Sequence, residues 1–191
     1  MKHLKIIGLA LVAATALMAF AGSASAAPTL TSPAGTAYTG HYEYTLSGTS
    51  MLIKTISTNI TCTGSTITGS FNTNNTTHAS GSITTLDYTG CSGTVHPLIN
   101  IYVTYGSLTI NQKGEMFGFN VRITTLSTGV HCVYGTGSAG TRLGTLTGEI
   151  PARVTISAAL PLLEGSAFAC GSTGTWSGSY TVTKPGTLFV A

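Results

Sequence analysis

Apolar and polar residues alternate with a period of two along much of this 191-residue chain. The pattern is clearest in segments 38–46, 117–124, 149–158 and 176–183, where apolar or aromatic residues occupy most alternate positions. Since successive side chains of a β-strand point to opposite faces, the pattern predicts strands with one face in a core and the other in water. The face predicted to meet water is rich in Thr and Ser, and Thr suits a strand because its Cβ is branched.

The residues between these segments are typical of turns between antiparallel strands. Ser47–Ser50 is predicted to form a hairpin between the first two strands, and Asn111–Gly114 is predicted to join two later ones. The only helix candidate, 158–164, has Pro161 at its centre and is predicted to be a single turn or a loop. Many short strands with Gly-rich turns predict one all-β domain over residues 27–191, an antiparallel β-sandwich or a barrel-like variant of it. A parallel β-helix is the competing architecture, but the strand spacing drifts where a solenoid needs a fixed repeat.

The first 26 residues predict a secretory signal peptide. Lys2 and Lys5 give a basic start, residues 6–21 are apolar, and the small residues 24–26 suit cleavage after Ala26. The apolar stretch is shorter than the span of about 20 residues that crosses a bilayer, and no later segment is apolar enough to do so. The mature chain is therefore predicted to be secreted and extracellular, without a membrane span.

Charged residues make up only 7% of the chain, against roughly 25% in an ordinary soluble domain. The formal charge of +3 comes from eight basic and five acidic side chains. Removal of residues 1–26 takes away Lys2 and Lys5, which leaves six basic and five acidic side chains, or +1. This composition excludes a nucleic-acid binder built on a basic patch, a coiled coil and a charge-driven disordered chain.

Four cysteines, Cys62, Cys91, Cys132 and Cys170, all lie in the part of the chain that is predicted to be exported. They lack the C-x2-C spacing typical of zinc sites, and an even number of cysteines in an exported chain indicates two disulfides. Three pairings are possible. We favour Cys62–Cys91 with Cys132–Cys170, since each pair brackets one local block of predicted strands.

Blocks rich in Gly and Thr surround these cysteines. Segments Cys62–Gly69, Gly81–Cys91, Cys132–Gly137 and Trp176–Pro185 resemble a family of small, uncharacterised secreted proteins of high-GC Gram-positive bacteria. The resemblance covers nearly the whole chain, and it implies a disulfide-bonded extracellular β domain without an established activity. The shared motifs contain no catalytic residue.

Candidate catalytic residues are few. No serine lies in the G-x-S-x-G pattern of a nucleophile elbow, and Gly90–Thr94 comes nearest but lacks the last Gly. A glycosidase needs two neighbouring carboxylates, and the mature chain has five that are distant in sequence: Glu43, Asp87, Glu115, Glu149 and Glu164. Asp87 shares its alternation phase with Ile83, which predicts that it faces inward, where a carboxylate needs a partner. The alternative is a residue at a strand end that pairs with a base or caps a turn.

Histidines offer no stronger chemistry. His41 and Glu43 share one strand face and could contact a metal, but two ligands on an exposed strand make a weak site, so no metal is predicted. His131 precedes Cys132, and a cysteine in a disulfide is not a nucleophile. No cofactor is predicted.

Aromatic residues could bind sugar rings by stacking. The candidates form two sets, one of Trp176 and Tyr180, the other of Tyr38, Tyr42 and Tyr44. Their strand spacing beside aliphatic residues indicates that both sets belong to the core instead. By the same alternation, Phe117 and Phe119 are predicted to lie on a core face.

These patterns predict a non-enzymatic, secreted module that binds cell-envelope glycan, a neighbouring cell or a surface protein, with no nucleic-acid partner. The first alternative is a hydrolase of envelope polysaccharide whose carboxylates are brought together by the fold. The second is a structural protein that adsorbs to surfaces through a flat array of Thr, which requires a regular Thr spacing.

Overall fold

The structure is a computed structural model, and it describes residues 27–47, 51–54, 59–93, 98–127 and 129–190. The predicted signal peptide, residues 1–26, lies outside the described residues. The described chain contains one short helix and fourteen strands, in the order β1 (Leu30–Thr31), β2 (Gly40–Leu46), β3 (Met51–Lys54), β4 (Asn59–Asn74), β5 (His78–Gly93), β6 (Leu98–Thr104), β7 (Ser107–Asn111), β8 (Glu115–Phe119), β9 (Arg122–Ser127), β10 (Val130–Gly135), β11 (Thr141–Thr147), β12 (Arg153–Glu164), α1 (Ala167–Cys170), β13 (Thr173–Lys184) and β14 (Phe189–Val190).

Eight strands close into an antiparallel barrel in which each strand pairs with the next: β2, β4, β5, β7, β8, β11, β12 and β13, which pairs back to β2. Strands β6, β9 and β10 extend the sheet from the second half of β12. The predicted all-β, antiparallel class is confirmed, and of the two forms left open by the sequence the structure has the barrel, with extra strands.

The predicted hairpin at Ser47–Ser50 is wrong. Strands β2 and β3 both pair antiparallel with β4 and with β13, so they run in the same direction and do not pair with each other. β3 continues beside β4 where β2 ends. Residues 48–50 lie outside the described residues. The predicted hairpin at Asn111–Gly114 is confirmed, because β7 and β8 on either side of it form an antiparallel pair.

The predicted turn or loop at 158–164 is instead the second half of β12. Its residues keep the strand alternation, with Ala158 and Leu160 buried and Ala159 and Pro161 exposed. Pro161 has no N–H to donate to a sheet, and it is tolerated because its pair with Thr173 is the last in the register of β12 with β13.

Aromatic side chains fill much of the interior. The largest fully buried residues are Trp176, Tyr42, Tyr44, Tyr134 and Tyr180. An eight-stranded barrel is wide enough either to be filled by side chains or to hold one small ligand. Here the interior cavity has a volume of about 10 Å³ and is bordered by apolar residues and Trp176. The barrel is therefore packed, and the cavity is too small for a ligand.

Two glycines allow neighbouring strands to approach closely. A Cβ at Gly144 in β11 would lie 1.9 Å from the carbonyl oxygen of Thr155 in β12. A Cβ at Gly81 in β5 would lie 1.9 Å from the carbonyl oxygen of Ser70 in β4. Glycine inside a strand commonly marks such an approach, and it lets the sheet curve enough to close.

Two disulfides connect the strands. Cys62 and Cys91 lie directly opposite each other on β4 and β5, and Cys132 of β10 is bonded to Cys170 at the end of α1. Both predicted pairings are confirmed. Disulfides are compatible with an oxidising or extracellular location. Among the residues that the structure describes, no helix is long and apolar enough to cross a membrane.

Tyr42 and Tyr44 should respond oppositely to loss of their hydroxyl groups. Their rings stack with centroids 4.9 Å apart, and both are fully buried. The Tyr42 hydroxyl donates a hydrogen bond of 3.0 Å to the Ser82 carbonyl, whereas the Tyr44 hydroxyl has no partner within the described chain. We expect Tyr42→Phe to lower the free energy of unfolding by about 1 kcal/mol, and Tyr44→Phe to raise it by about 1 kcal/mol, because a buried polar group without a partner is destabilising.

Urea unfolding followed by circular dichroism measures both variants, with each serving as the control for the other. Equal destabilisation by the two substitutions would contradict this account and would show that the Tyr44 hydroxyl has a partner in the native protein.

Candidate functional site

An open groove crosses the outer face of the barrel over β4, β5, β7 and β8. It has a volume of about 490 Å³ and is lined by Asn72, Thr73, Ser80, Gly81, Ser82, Ser107, Thr109 and Phe119. We call it the outer groove. Strand register brings these residues together, since Ser82 pairs with Ser107 and Ser107 pairs with Phe119. Residues from 72 to 119 thus become neighbours on one surface.

Phe119 lines the outer groove because β8 has the opposite phase to the one predicted. Met116 of β8 is buried, whereas Phe117 and Phe119 are only partly buried and lie on the outer face. The prediction that both Phe residues belong to a core face is therefore wrong. The phase changes at Asn120, whose φ of 56° ends β8, so that Val121 is again buried.

The loop between β10 and β11 holds the Phe119 ring in place. A Cβ at Gly140 would lie 2.4 Å from Cε1 of Phe119, so the ring rests on a residue that has no side chain. The N–H groups of Asn120 and Gly140 both donate to the carbonyl oxygen of Gly137, at 3.4 and 3.2 Å. Part of the ring is covered by this loop, and the rest is open to the groove.

A β-bulge shapes the opposite end of the groove. Phe71 pairs with Gly81 and Thr73 pairs with Ser80, so Asn72 is an extra residue that has no paired residue in β5. A bulge changes the direction in which side chains point, and here both Asn72 and Thr73 are exposed. The middle of the groove contains Gly81, which leaves the floor free of a side chain.

The polar groups of the outer groove are available to a ligand. Five lining residues carry hydroxyl groups: Thr73, Ser80, Ser82, Ser107 and Thr109. Within the described part of the chain, none of these hydroxyls bonds to another protein group. Elsewhere on the sheet, by contrast, the Thr68 hydroxyl is within hydrogen-bond distance of Thr84 and Thr85. None of the described residues that line the groove is charged, so its chemistry is that of neutral hydrogen bonding beside one aromatic ring.

Carboxylates lie outside the outer groove, and four of the five are in ion pairs with separate bases. The pairs are Glu43–Lys184 at 3.1 Å, Glu115–Arg142 at 3.3 Å, Glu149–Arg153 at 3.8 Å and Glu164–Arg122 at 2.8 Å. The hydrogen bonds that Glu43 accepts from Lys184 and Thr183 hold the pKa of its carboxyl below the usual value. A glycosidase requires two carboxylates that face one site. Here each of these four carboxylates is instead paired with a base of its own.

Asp87 is exposed, so the prediction that it faces inward is wrong. The register of β4 with β5 shifts between Thr68 and Gly69, where β5 contains one extra residue. This shift changes the alternation of β5: Ile83 and Leu86 are both buried, although they are three residues apart. Asp87 consequently points to the outer face.

The histidine candidates are surface residues. His41 is exposed, and its neighbour Glu43 is bound to Lys184. His131 is also exposed, and Cys132 beside it is in a disulfide. In the chain ranges described above, no three His, Cys, Asp or Glu residues form a group that could hold a metal ion.

The two predicted aromatic sets belong mainly to the core. Four of their five members are buried: Trp176, Tyr180, Tyr42 and Tyr44. Tyr38 is partly buried and packs against the same core. The core assignment is therefore confirmed, and the partly buried groove ring that sequence reasoning missed is Phe119. Its outward phase could have been found from the turn at 111–114, because that hairpin places Met116 opposite Ile110 and therefore on the inner face.

Comparison with protein-family models, with curated proteins and with solved structures found no match.

Proposed function

We propose that this chain is a secreted, non-enzymatic module that binds extracellular carbohydrate in the outer groove. The observation that carries the proposal is the groove itself, in which five hydroxyls without a partner in the described chain, and one amide, lie beside one aromatic ring with no charged group among them. Specific ligand sites commonly combine an apolar surface with a few placed polar groups.

Carbohydrate is the ligand class that fits this combination. A pyranose ring has an apolar face of C–H groups, which stacks on an aromatic ring, and it carries hydroxyls that both donate and accept hydrogen bonds. Ser and Thr hydroxyls and the Asn72 amide have the same two capacities. Phe119 supplies the stacking surface, and its position is fixed before binding by the loop at Gly140. A pre-positioned ring loses little freedom when a ligand binds.

Secretion is supported by the N-terminal pattern of residues 1–26 and by the two disulfides. The alternative of a hydrolase gains no support from the outer groove, since it contains no carboxylate. The alternative of adsorption through a flat array of Thr needs a flat face, and the Thr-bearing strands β4, β5, β12 and β13 curve around a barrel.

Loss of the Phe119 ring should weaken carbohydrate binding. We expect Phe119→Ala to lower the affinity of the mature chain for its polysaccharide at least tenfold, because ring stacking adds about 0.5–1.5 kcal/mol beyond the burial of apolar area. Phe117→Ala is the matched control, since Phe117 lies on the same outer face of β8 but does not line the groove. Affinity electrophoresis against a panel of soluble polysaccharides measures both variants.

Absence of binding to every polysaccharide in the panel would contradict the proposed function. Binding that Phe119→Ala and Phe117→Ala weaken equally would show that carbohydrate binds elsewhere on the chain.

A further inference from the structure

We propose that the outer groove selects an uncharged oligosaccharide and discriminates against polymers that carry carboxylate or phosphate groups. This inference rests on the proposed function and names the ligand class of the same site. It follows from which groups line the groove, which charged groups surround it, and how long the groove is.

The lining supplies no partner for an ionic group. A bound carboxylate or phosphate needs charge-assisted hydrogen bonds, most often from Arg, to offset the loss of its hydration. The groups available are the hydroxyls of residues such as Ser80, Ser107 and Thr109 and the amide of Asn72. These are adequate partners for sugar hydroxyls but weak ones for an anion.

The nearest basic residue in the strand register is already engaged. Thr109 pairs with Phe117, and Phe117 pairs with Arg142 on β11, so Arg142 lies on the strand beside β8, two strands away from Thr109. Its guanidinium is in an ion pair with Glu115, at 3.3 Å, and Glu115 also accepts a hydrogen bond of 2.8 Å from Asn111. An anionic ligand that approached Arg142 would also approach the negative charge of Glu115.

On the β4 side of the groove the strand register places His41, whereas Lys113 lies exposed in the turn between β7 and β8 and does not line the groove. His41 pairs with Ser70, and Ser70 pairs with Ser82 of the groove. His41 is exposed to water and is not among the described residues that line the groove.

The length of the groove favours an oligosaccharide over a single sugar. It crosses four neighbouring strands, which at about 4.8 Å between strands corresponds to roughly 14 Å. The Phe119 ring lies toward one end, and the bulge residues Asn72 and Thr73 lie toward the other. A ligand that stacks on Phe119 and also reaches Asn72 must therefore contain several sugar units.

Isothermal titration of the mature chain tests this selectivity with three probes: neutral hexose hexasaccharides, a hexamer of galacturonate, and a glycerol phosphate polymer. We expect the best neutral hexasaccharide to bind at least tenfold more tightly than either anionic probe, and at least tenfold more tightly than the corresponding monosaccharide. Anionic probes that bind as tightly as the neutral ones would overturn the inference but leave the proposed function standing. If none of the probes binds, both the inferred selectivity and the proposed function are contradicted.

A charge placed in the groove gives a second measurement. Ser107→Lys should lower affinity for the neutral hexasaccharide at least tenfold. It should also raise the ratio of the affinity for the galacturonate hexamer to the affinity for the neutral hexasaccharide. Thr155→Lys adds the same charge at an exposed position on β12, outside the groove, and should leave both affinities within twofold. If both variants shift the preference equally, selectivity depends on net charge and the assignment to the outer groove is wrong.

Discussion

A rise in pH above 10 should unfold the protein over a narrow interval, with its buried tyrosines ionising only as the chain unfolds. Tyr42, Tyr44 and Tyr180 have fully buried side chains. Burial raises the pKa of each phenol above its usual value of 10.0, for Tyr180 to about 12 even though a hydrogen bond with Ser65 acts in the opposite direction. The native protein therefore keeps these three protons at a pH where an unfolded chain loses them.

The direction of the effect follows from linkage between proton binding and folding. Above pH 10 the unfolded state binds fewer protons than the native state, so the free energy of unfolding decreases as pH rises. Each tyrosine contributes about 1.4 kcal/mol per pH unit between its unfolded and native pKa, and three contribute about 4 kcal/mol per unit. Since small domains have a total stability of about 5–15 kcal/mol, a rise of a few pH units removes most or all of it. The contribution is fully present below pH 10.

An alkaline titration followed by tyrosinate absorbance and by circular dichroism tests this expectation. The two signals should change together for Tyr42, Tyr44 and Tyr180. Tyr105→Phe is the control, because Tyr105 is 44% exposed and its removal should not move the unfolding midpoint. Ionisation of the buried tyrosines well before the loss of β structure would contradict the burial argument.

Sequence periodicity identified those tyrosines correctly because they lie in strands without interruption. In β2 the alternation of Tyr42 and Tyr44 with polar neighbours continues unbroken, and both residues are buried as predicted. The same holds for Trp176 and Tyr180 in β13. In such strands one residue fixes the phase for all the others, so a local pattern is sufficient.

Periodicity failed where the backbone departs from a regular strand. An extra residue in β5 sends Asp87 to the outside, and the positive φ of Asn120 separates the phase of Phe119 from that of Val121. A bulge or a left-handed residue adds one position to the count, and a period-two pattern that is read across it assigns the wrong face. Nothing in the composition of these segments marks the two interruptions.

The outer groove was beyond prediction for a different reason. Its ends, Asn72 and Phe119, are far apart in sequence, and they meet on one surface only because β5 pairs with β7 instead of with β6. Strand order of this kind depends on tertiary packing. The disulfide pairing was easier, since each pair connects two positions within one local block of the chain.

Removal of the Cys132–Cys170 disulfide should lower the free energy of unfolding by about 4 kcal/mol, because the bond closes a loop across 38 residues of sequence and restricts the unfolded chain. The double variant Cys132→Ala with Cys170→Ala is compared with the parent in guanidinium unfolding. Besides the disulfide, hydrogen bonds hold the end of α1: the Tyr134 hydroxyl donates to the Cys170 carbonyl at 2.5 Å, and the Cys170 N–H donates to the Ser166 carbonyl at 2.8 Å. Because the variant leaves this short segment with hydrogen bonds alone, exchange at the amides of Ala169–Gly171 should accelerate more than exchange in β4 and β5.

The double variant Cys62→Ala with Cys91→Ala is the matched control, since its loop of 29 residues predicts a similar loss of stability from the chain-entropy argument. Its effect on exchange should be confined to the β4–β5 pair, which the bond crosses directly. If the Cys132–Cys170 variant loses less than about 1 kcal/mol, the segment around α1 must be held by its hydrogen bonds alone, and the unfolded chain must gain little freedom from the missing bond. A loss near 4 kcal/mol with faster exchange around Ala169 would assign the stabilising role to the covalent link between β10 and the end of α1.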